Sequence, residues 1–196
     1  MTDSHALPLA KPKNKNGMIF FIAILGLFAT LILLGWAMVQ RTAPPLASGN
    51  APEFELQSFE GKVYKLSELR GKPVVLNFWA SWCIQCRDEA AELQAAWAKY
   101  RDQGLIVLGV DYVDTEVEAK KYMAEFKITF PNGADIGTKI SKVYRITGVP
   151  ETYFITREGK LLNGNDSTGR ALGNWIGPVP PSAMQERIQK LLATTY

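Results

Sequence analysis

The chain's only two cysteines lie two residues apart, in Trp82-Cys83-Ile84-Gln85-Cys86. An apolar run, Val74 to Trp79, precedes them and reads as a buried strand. Arg87 to Trp97, rich in good helix formers, follows. The pair therefore stands where a strand gives way to a helix. The first turn of a helix has unpaired N–H groups and the positive end of the macrodipole, and both favour a thiolate. Cys-x-x-Cys at that place lets two sulfurs meet across one turn, so a disulfide can form, open and re-form. Cys83 comes first and is expected to be the more exposed, which gives it the nucleophile's role. Cys86, one turn inside, would resolve the mixed disulfide. A zinc site needs four ligands, and the chain has no third cysteine and one histidine, His5, near its start. A purely structural bridge over so short a loop constrains the unfolded chain little. Redox chemistry is the expectation, with the Cys83–Cys86 disulfide as its working part and neither cofactor nor metal.

The elements that must position this pair can be read in order. Phe54-Glu55-Leu56 and Lys62 to Leu66 alternate about Phe59-Glu60-Gly61, which predicts a hairpin. Ser67 to Gly71 predicts one helical turn. After the strand Val74 to Trp79 comes a helix of about five turns, with Leu93, Trp97 and Tyr100 along its core face. Leu105 to Val110 predicts a central parallel strand. Asp111 to Asp114 reads as a loop whose acids start the next helix, not as a cation site. Thr115 to Lys127 predicts an amphipathic helix with Val117, Tyr122 and Phe126 partly inward, and Ile136 to Tyr144 a shorter one. Glu151 to Thr156 pairs with Leu161-Leu162 across the turn Arg157-Glu158-Gly159-Lys160. Asn163 to Gly177 reads as a loop and Pro181 to Leu192 as a closing helix. The sum is an α/β domain, a mixed central sheet with helices on both faces.

Met18 to Val39 is 22 residues without a charge. As a helix it would be about 33 Å long, enough to cross a bilayer core. Three lysines precede it and Arg41 follows, which keeps the N-terminus in the cytoplasm and puts the cysteines outside. A cleaved signal peptide is the competing reading. The run is long for one, and Ala43 is followed by Pro44-Pro45. The expected organisation is a cytoplasmic tail over 1–17, a transmembrane signal-anchor over 18–39, a Pro/Ala-rich linker over 40–52, and the redox domain over 53–196. Of 22 basic and 19 acidic residues, four and one precede Thr42, which leaves 18 of each. The domain is neutral overall and nothing points to nucleic acid.

Phe78-Trp79-Ala80-Ser81-Trp82-Cys83 running into Cys86 resembles the active site of the thioredoxin superfamily. A second motif, Gly148-Val149-Pro150-Glu151-Thr152-Tyr153-Phe154-Ile155, agrees with it. In thioredoxin-like proteins a proline before the penultimate strand has a cis peptide bond and packs beside the cysteines. The resemblance puts Pro150 in that place, although alone it reads as an ordinary turn proline. It also implies that the backbone of Val149 pairs with an extended substrate peptide. Closer still, the chain resembles the membrane-anchored TlpA-like and DsbE-like proteins of cytochrome c biogenesis. The likeness rests on the anchor, on the extra segment Ala51 to Pro73, and on Asn77 combined with Glu89. It spans roughly Ala51 to Leu192 and implies a thioredoxin-like fold with an N-terminal β-hairpin extension, preceded by a single transmembrane helix. One departure is Gln85, where these proteins usually have proline or a small residue. Gln85 restores a donor and loosens the turn, so no relative's potential transfers.

Glu89 is one turn past Cys86. It could take a proton from a cysteine or raise a thiol pKa, or simply stabilise the helix start. Asn77 is expected to satisfy local hydrogen bonds. Trp82, with Val149 and Pro150, is expected to bind substrate, and Trp79 either joins that surface or fills the core. Glu151, beside Pro150, either contacts a partner or is simply an exposed strand residue, and the second reading is preferred. The resemblance implies an extracytoplasmic thiol–disulfide oxidoreductase, reducing oxidised protein cysteine pairs such as those of apocytochrome c. A membrane thiol-electron carrier would be its reductant. A disulfide donor or isomerase, and a tethered binding module with a static bridge, are the alternatives.

Overall fold

The computed structural model describes residues 15–40 and 44–194. The tail as far as residue 14, with His5, and linker positions 41–43 lie outside the described residues. The chain divides into two compact units at Ala43/Pro44. The first holds one helix, α1 (Lys15–Gln40), which starts before and ends after the uncharged run. From Ile19 to Trp36 its side chains are unburied. By length and composition this helix could cross a bilayer core, as could the apolar helix of a signal sequence.

The second unit begins with the predicted hairpin, β1 (Glu55–Gln57) against β2 (Val63–Lys65), followed by a 3₁₀ turn over Leu66–Leu69. Then come β3 (Val74–Trp79), α2 (Ile84–Tyr100), β4 (Ile106–Asp111), α3 (Glu116–Glu125) and β5 (Asn132–Ala134). α4 (Lys139–Tyr144), β6 (Glu151–Ile155), β7 (Asn174–Ile176) and α5 (Pro181–Ala193) complete it. Thr115 caps α3, its hydroxyl accepting from the Glu118 amide at 3.3 Å. The main sheet has the order β5-β4-β3-β6-β7. β3 is central, parallel to β4 and antiparallel to β6. All six of its residues are buried, five of them apolar and the sixth Asn77, as a strand covered on both faces requires.

Alternation along β3 splits the core in two. Val74, Leu76 and Phe78 face α4 and the N-terminal hairpin, with Leu56, Ile140, Tyr144 and Tyr153. Val75 faces α2 and α5, with Leu93, Tyr100, Met184, Ile188 and Leu191. At the end of β3 that leads to the cysteines, Trp79 packs with Cys83, Cys86, Ala119 and Tyr122. In α3 the inward residues are Ala119 and Tyr122, whereas Val117, expected to turn partly inward, is exposed.

Two strands depart from expectation. β5 has no β-branched or aromatic residue; tertiary contacts make it a strand. Its flanks bond to β4, Gly109 N donating to Pro131 O and Asp135 N to Asp111 O, both at 2.9 Å. Leu161-Leu162 does begin a hairpin with β6, bridging Ile155 and donating from Leu162 N to Phe154 O at 2.8 Å. The chain then leaves the sheet and returns as β7, inside the segment expected to be loop. Three residues are too few for a period-two pattern, and the turn residues around them mask the strand.

Gly109 is where β4 must lack a side chain. A Cβ there would fall 1.7 Å from Asn132 Oδ1, the atom that accepts from the Trp79 indole. Gly109→Ala is expected to destabilise the fold by about 1–3 kcal/mol through overpacking. Thermal unfolding would read this as a Tm lower by roughly 2–12 °C.

Candidate active site

α2 begins at Ile84, so Cys83 is its N-cap, and the Cys83 Sγ accepts from the Cys86 amide at 3.1 Å. The two cysteines are disulfide-bonded. Cys83 is 6 % exposed and Cys86 1 %. Cys83 is therefore the more exposed of the two, as the order of the motif predicts. The helix start contributes what a leaving or attacking thiolate needs, an aimed N–H and the positive end of the dipole.

Two loops hold the redox turn. The one after β4 contributes Asp114, whose Oδ2 accepts from Ser81 N at 2.7 Å. The Trp82 indole donates to Val113 O at 3.1 Å, while most of the Trp82 side chain stays exposed, as does Ile84. The other loop precedes β6. Its Val149–Pro150 bond is cis, and Val149 O lies 3.5 Å from Cys83 Sγ. The structure thus brings Cys83, Trp82, Val149 and Pro150 together, although Pro150 is buried and Val149 half-buried.

Glu89 is buried. Its Oε1 accepts from Asn77 Nδ2 at 2.7 Å and its Oε2 from Val179 N at 2.9 Å. The same Asn77 amide donates to Thr152 Oγ1 at 3.0 Å. Burial outweighs these bonds and pushes the carboxyl up from 4.5 to about 7. Glu89 is therefore not a solvated acid at a helix start. It is a buried proton-holding group one turn along α2 from Cys86, and Asn77 is its partner rather than a bystander.

One open choice is decided and two expectations are corrected. Trp79 belongs to the core and not to a docking surface. It is 2 % exposed, stacks on Tyr122 at 4.4 Å, and donates to Asn132 Oδ1 at 2.8 Å. Tyr122 in turn donates to Cys86 O at 2.7 Å, which steadies the inner cysteine's turn. Glu151 is fully buried, not an exposed strand residue, because β6 has neighbours on both sides. Asp111 is the last residue of β4, not a loop residue, and both of its carboxyl oxygens are buried without a partner. Burial, with Asp114 adding repulsion, lifts its carboxyl from 3.8 to about 7. Alternation patterns reveal strands but not which strand ends are covered, so no local signal marked these acids as buried. Among the described residues no group of three or more potential metal-ligating side chains comes together.

The raised carboxyls make stability depend on pH. In the unfolded chain Glu89 and Asp111 lose their protons near about 4, and in the folded protein near about 7. Between those values the unfolded chain binds fewer protons, so stability falls as pH rises. Their contribution is fully present below about pH 4 and is lost on passing about pH 7. Asp111→Asn is expected to flatten that decline and to be more stable than wild type at pH 8, as read by urea unfolding across the range. An unchanged slope would contradict the burial argument.

Comparison with known proteins agrees with this geometry. The sequence profile of the AhpC/TSA family matches residues 48–163, which include both cysteines, Glu89 and Pro150. A thiol-disulfide oxidoreductase ResA from Bacillus cereus is 31 % identical over 133 residues, 67 % of this chain and 77 % of the relative. A ResA from a second Bacillus cereus strain is 26 % identical over 174 residues, 86 % of this chain and 99 % of the relative. Among solved structures, a Chlorobium tepidum protein described as thiol:disulfide interchange protein DsbE superposes with a TM-score of 0.65 at 28 % identity. The match covers 76 % of this chain and all of that one.

Proposed function

We propose a direction, a substrate class and a location from one premise: the chain belongs to the AhpC/TSA family and is a thiol-disulfide oxidoreductase of thioredoxin-like fold, similar to ResA and DsbE proteins. It works as a reductase of protein disulfides. The Cys83 thiolate attacks one sulfur of a substrate disulfide and releases the other as a thiolate. Cys86 then attacks Cys83 Sγ, which frees the second substrate sulfur and closes the Cys83–Cys86 disulfide. Two electrons pass to the substrate, and a membrane dithiol carrier restores the pair. Trp82 and the Val149–Pro150 backbone receive the substrate chain as an added strand. An apocytochrome c cysteine pair fits this reading as substrate.

The observation that carries the direction is the charge around the pair. A disulfide becomes oxidising when its reduced, thiolate form is strongly stabilised. Here the residues between the cysteines, Ile84 and Gln85, carry no charge. The adjacent Arg87 is engaged by Glu125 and lies over the Tyr122 and Phe126 rings. The nearby ionisable group on the same helix, Glu89, is acidic. The stabilisation that remains is the helix start itself. Such a pair is expected near the thioredoxin potential of about −270 mV, measured on the full-length protein against a dithiol buffer. A value towards about −120 mV would reverse the direction and make the protein a disulfide donor. Cys83→Ser is expected to abolish disulfide reduction.

α1 serves as an uncleaved anchor, with the N-terminus in the cytoplasm and the redox domain outside. Three lysines before the apolar run and one arginine after it support that orientation. After alkaline extraction the intact chain is expected in the membrane pellet. A shortened chain in the supernatant would make α1 a signal peptide instead.

A further inference from the structure

We propose that Glu151 is a neutral carboxylic acid whose hydrogen bonds hold the Thr147–Pro150 loop in place beside Cys83. The argument is a count of hydrogens. The Tyr153 hydroxyl lies 2.6 Å from Glu151 Oε1 and 2.7 Å from Tyr144 O. A hydroxyl has one hydrogen to donate and can also accept. A carbonyl oxygen can only accept, whereas a carboxyl can also donate, so both contacts are full hydrogen bonds only when the Tyr153 hydrogen goes to Tyr144 O. The contact with Glu151 is then a hydrogen bond only if Glu151 supplies the proton. A protonated Oε1 donates to Tyr153, Tyr153 donates to Tyr144 O, and every polar atom in the row is satisfied. An ionised Glu151 would leave one of the two acceptors without a hydrogen.

The surroundings agree. Glu151 is fully buried, between Phe78 of β3 and Ile176 of β7 in the sheet register. From α4 it meets Tyr144 through Tyr153, and both tyrosines stay neutral because burial raises their hydroxyls. The charged groups nearest Tyr144, Glu53 and Arg70, are paired with each other at 2.7 Å. Among the described residues no cation pairs with Glu151, so a negative charge there would be buried and uncompensated. Burial raises its own carboxyl.

The second oxygen does the positioning. Oε2 accepts from Thr147 N at 3.0 Å and from Thr147 Oγ1 at 3.3 Å. This bond closes the loop from Thr147 to Glu151, whose middle carries Val149 O, 3.5 Å from Cys83 Sγ. The far side of the same loop is fixed by Gly177 N donating to Pro150 O at 2.9 Å. Glu151 is thus a positioning residue: it touches neither sulfur, and it sets where the substrate-pairing backbone stands.

The test uses the full-length protein in detergent at pH 8, above the range in which Glu89 and Asp111 keep their protons. The infrared difference between wild type and Glu151→Gln is expected to contain a protonated-carboxyl C=O band. Tyr153→Phe, which removes the acceptor of that proton, is expected to shift the band. The pH profile of Cys83 alkylation in the reduced protein should superimpose for wild type and Glu151→Gln, since no charge is removed. Glu151→Gln should also keep the KM for a synthetic peptide disulfide, because an amide can donate to Tyr153 and accept from Thr147. Glu151→Ala should raise that KM by about fivefold to tenfold, the worth of a lost hydrogen bond. Absence of the band, or a Glu151→Gln alkylation profile displaced to lower pH, overturns the neutral acid. An unchanged KM in Glu151→Ala overturns the positioning role. If Glu151→Ala fails to fold, an unmoved band in Tyr153→Phe overturns the proposal instead. The kinetic arm rests on the reductase reading, but the infrared arm does not. An inactive protein with the band loses the function and keeps this inference, and an active one without it does the reverse.

Discussion

One buried carboxylate ties together the parts that must stay in register for the cysteines to work. Glu89 sits on α2 and accepts from Asn77 on β3 and from Val179, just ahead of α5. Asn77 in turn donates to Thr152 on β6. α2, the segment leading into α5, the central strand β3 and its neighbour β6 thus meet through two side chains, Glu89 and Asn77. Apolar packing around Leu93, Met184 and Ile188 brings these elements close, but such packing is non-directional. Hydrogen bonds to a buried acid are directional, and leaving one unmade is expensive. They fix the axial position of α2 on β3, and so the height at which its first turn presents Cys83.

The same end of the sheet buries three acids and treats each differently. Glu89 divides its oxygens between an amide side chain and a backbone amide. Glu151 divides its own between a hydroxyl and a threonine. Asp111 has no partner at all. Each is lifted above the ordinary carboxylate range, mainly by burial. The local environment therefore resists negative charge, whether on a carboxylate or on a thiolate. The helix start works against that resistance at Cys83, where its N–H points at sulfur, and one turn further in it no longer does. Attack and resolution are thus asymmetric, and the asymmetry comes from the position of each sulfur along α2.

Most of the architecture was legible in the chain. β3 and β4 announce themselves as apolar runs, the first interrupted only by Asn77 and the second ended by Asp111, and Cys83-Ile84-Gln85-Cys86 stands where a strand meets a helix. Pro150 was placed through resemblance, and the cis bond lies where that placed it. β7 and β5 were not legible, because three residues make no pattern and their pairing is decided by β6 and β4. The burial of Glu151 and Asp111 was hidden for a related reason. A strand's alternation tells which face a residue takes, but it does not tell what covers that face. Asn77 and Glu89 were combined only through resemblance, and the fold shows that they are bonded to each other.

The meeting of Cys83 with Val149, 66 residues on, follows from strand direction. β4 runs parallel to β3, so its end lies beside the end of β3, and its following loop reaches Ser81 and Trp82. β6 runs antiparallel to β3, so its beginning lies there instead. The end of one strand and the start of its neighbour then flank the same helix N-terminus. A parallel β6 would carry Pro150 to the opposite edge of the sheet, roughly 15–20 Å away for a strand of this length. Direction alone is insufficient. A one-residue slip would turn Thr152 away from Asn77 and send Glu151 to the α2 face. A two-residue slip would keep the faces but move Val149 about 7 Å along β3, out of reach of sulfur. The Asn77–Thr152 bond excludes the first, and the edge-on contact of Tyr153 with Phe78 disfavours the second. The disulfide is confined to two cysteines, but the geometry that sets the Val149 backbone beside Cys83 is a property of the sheet.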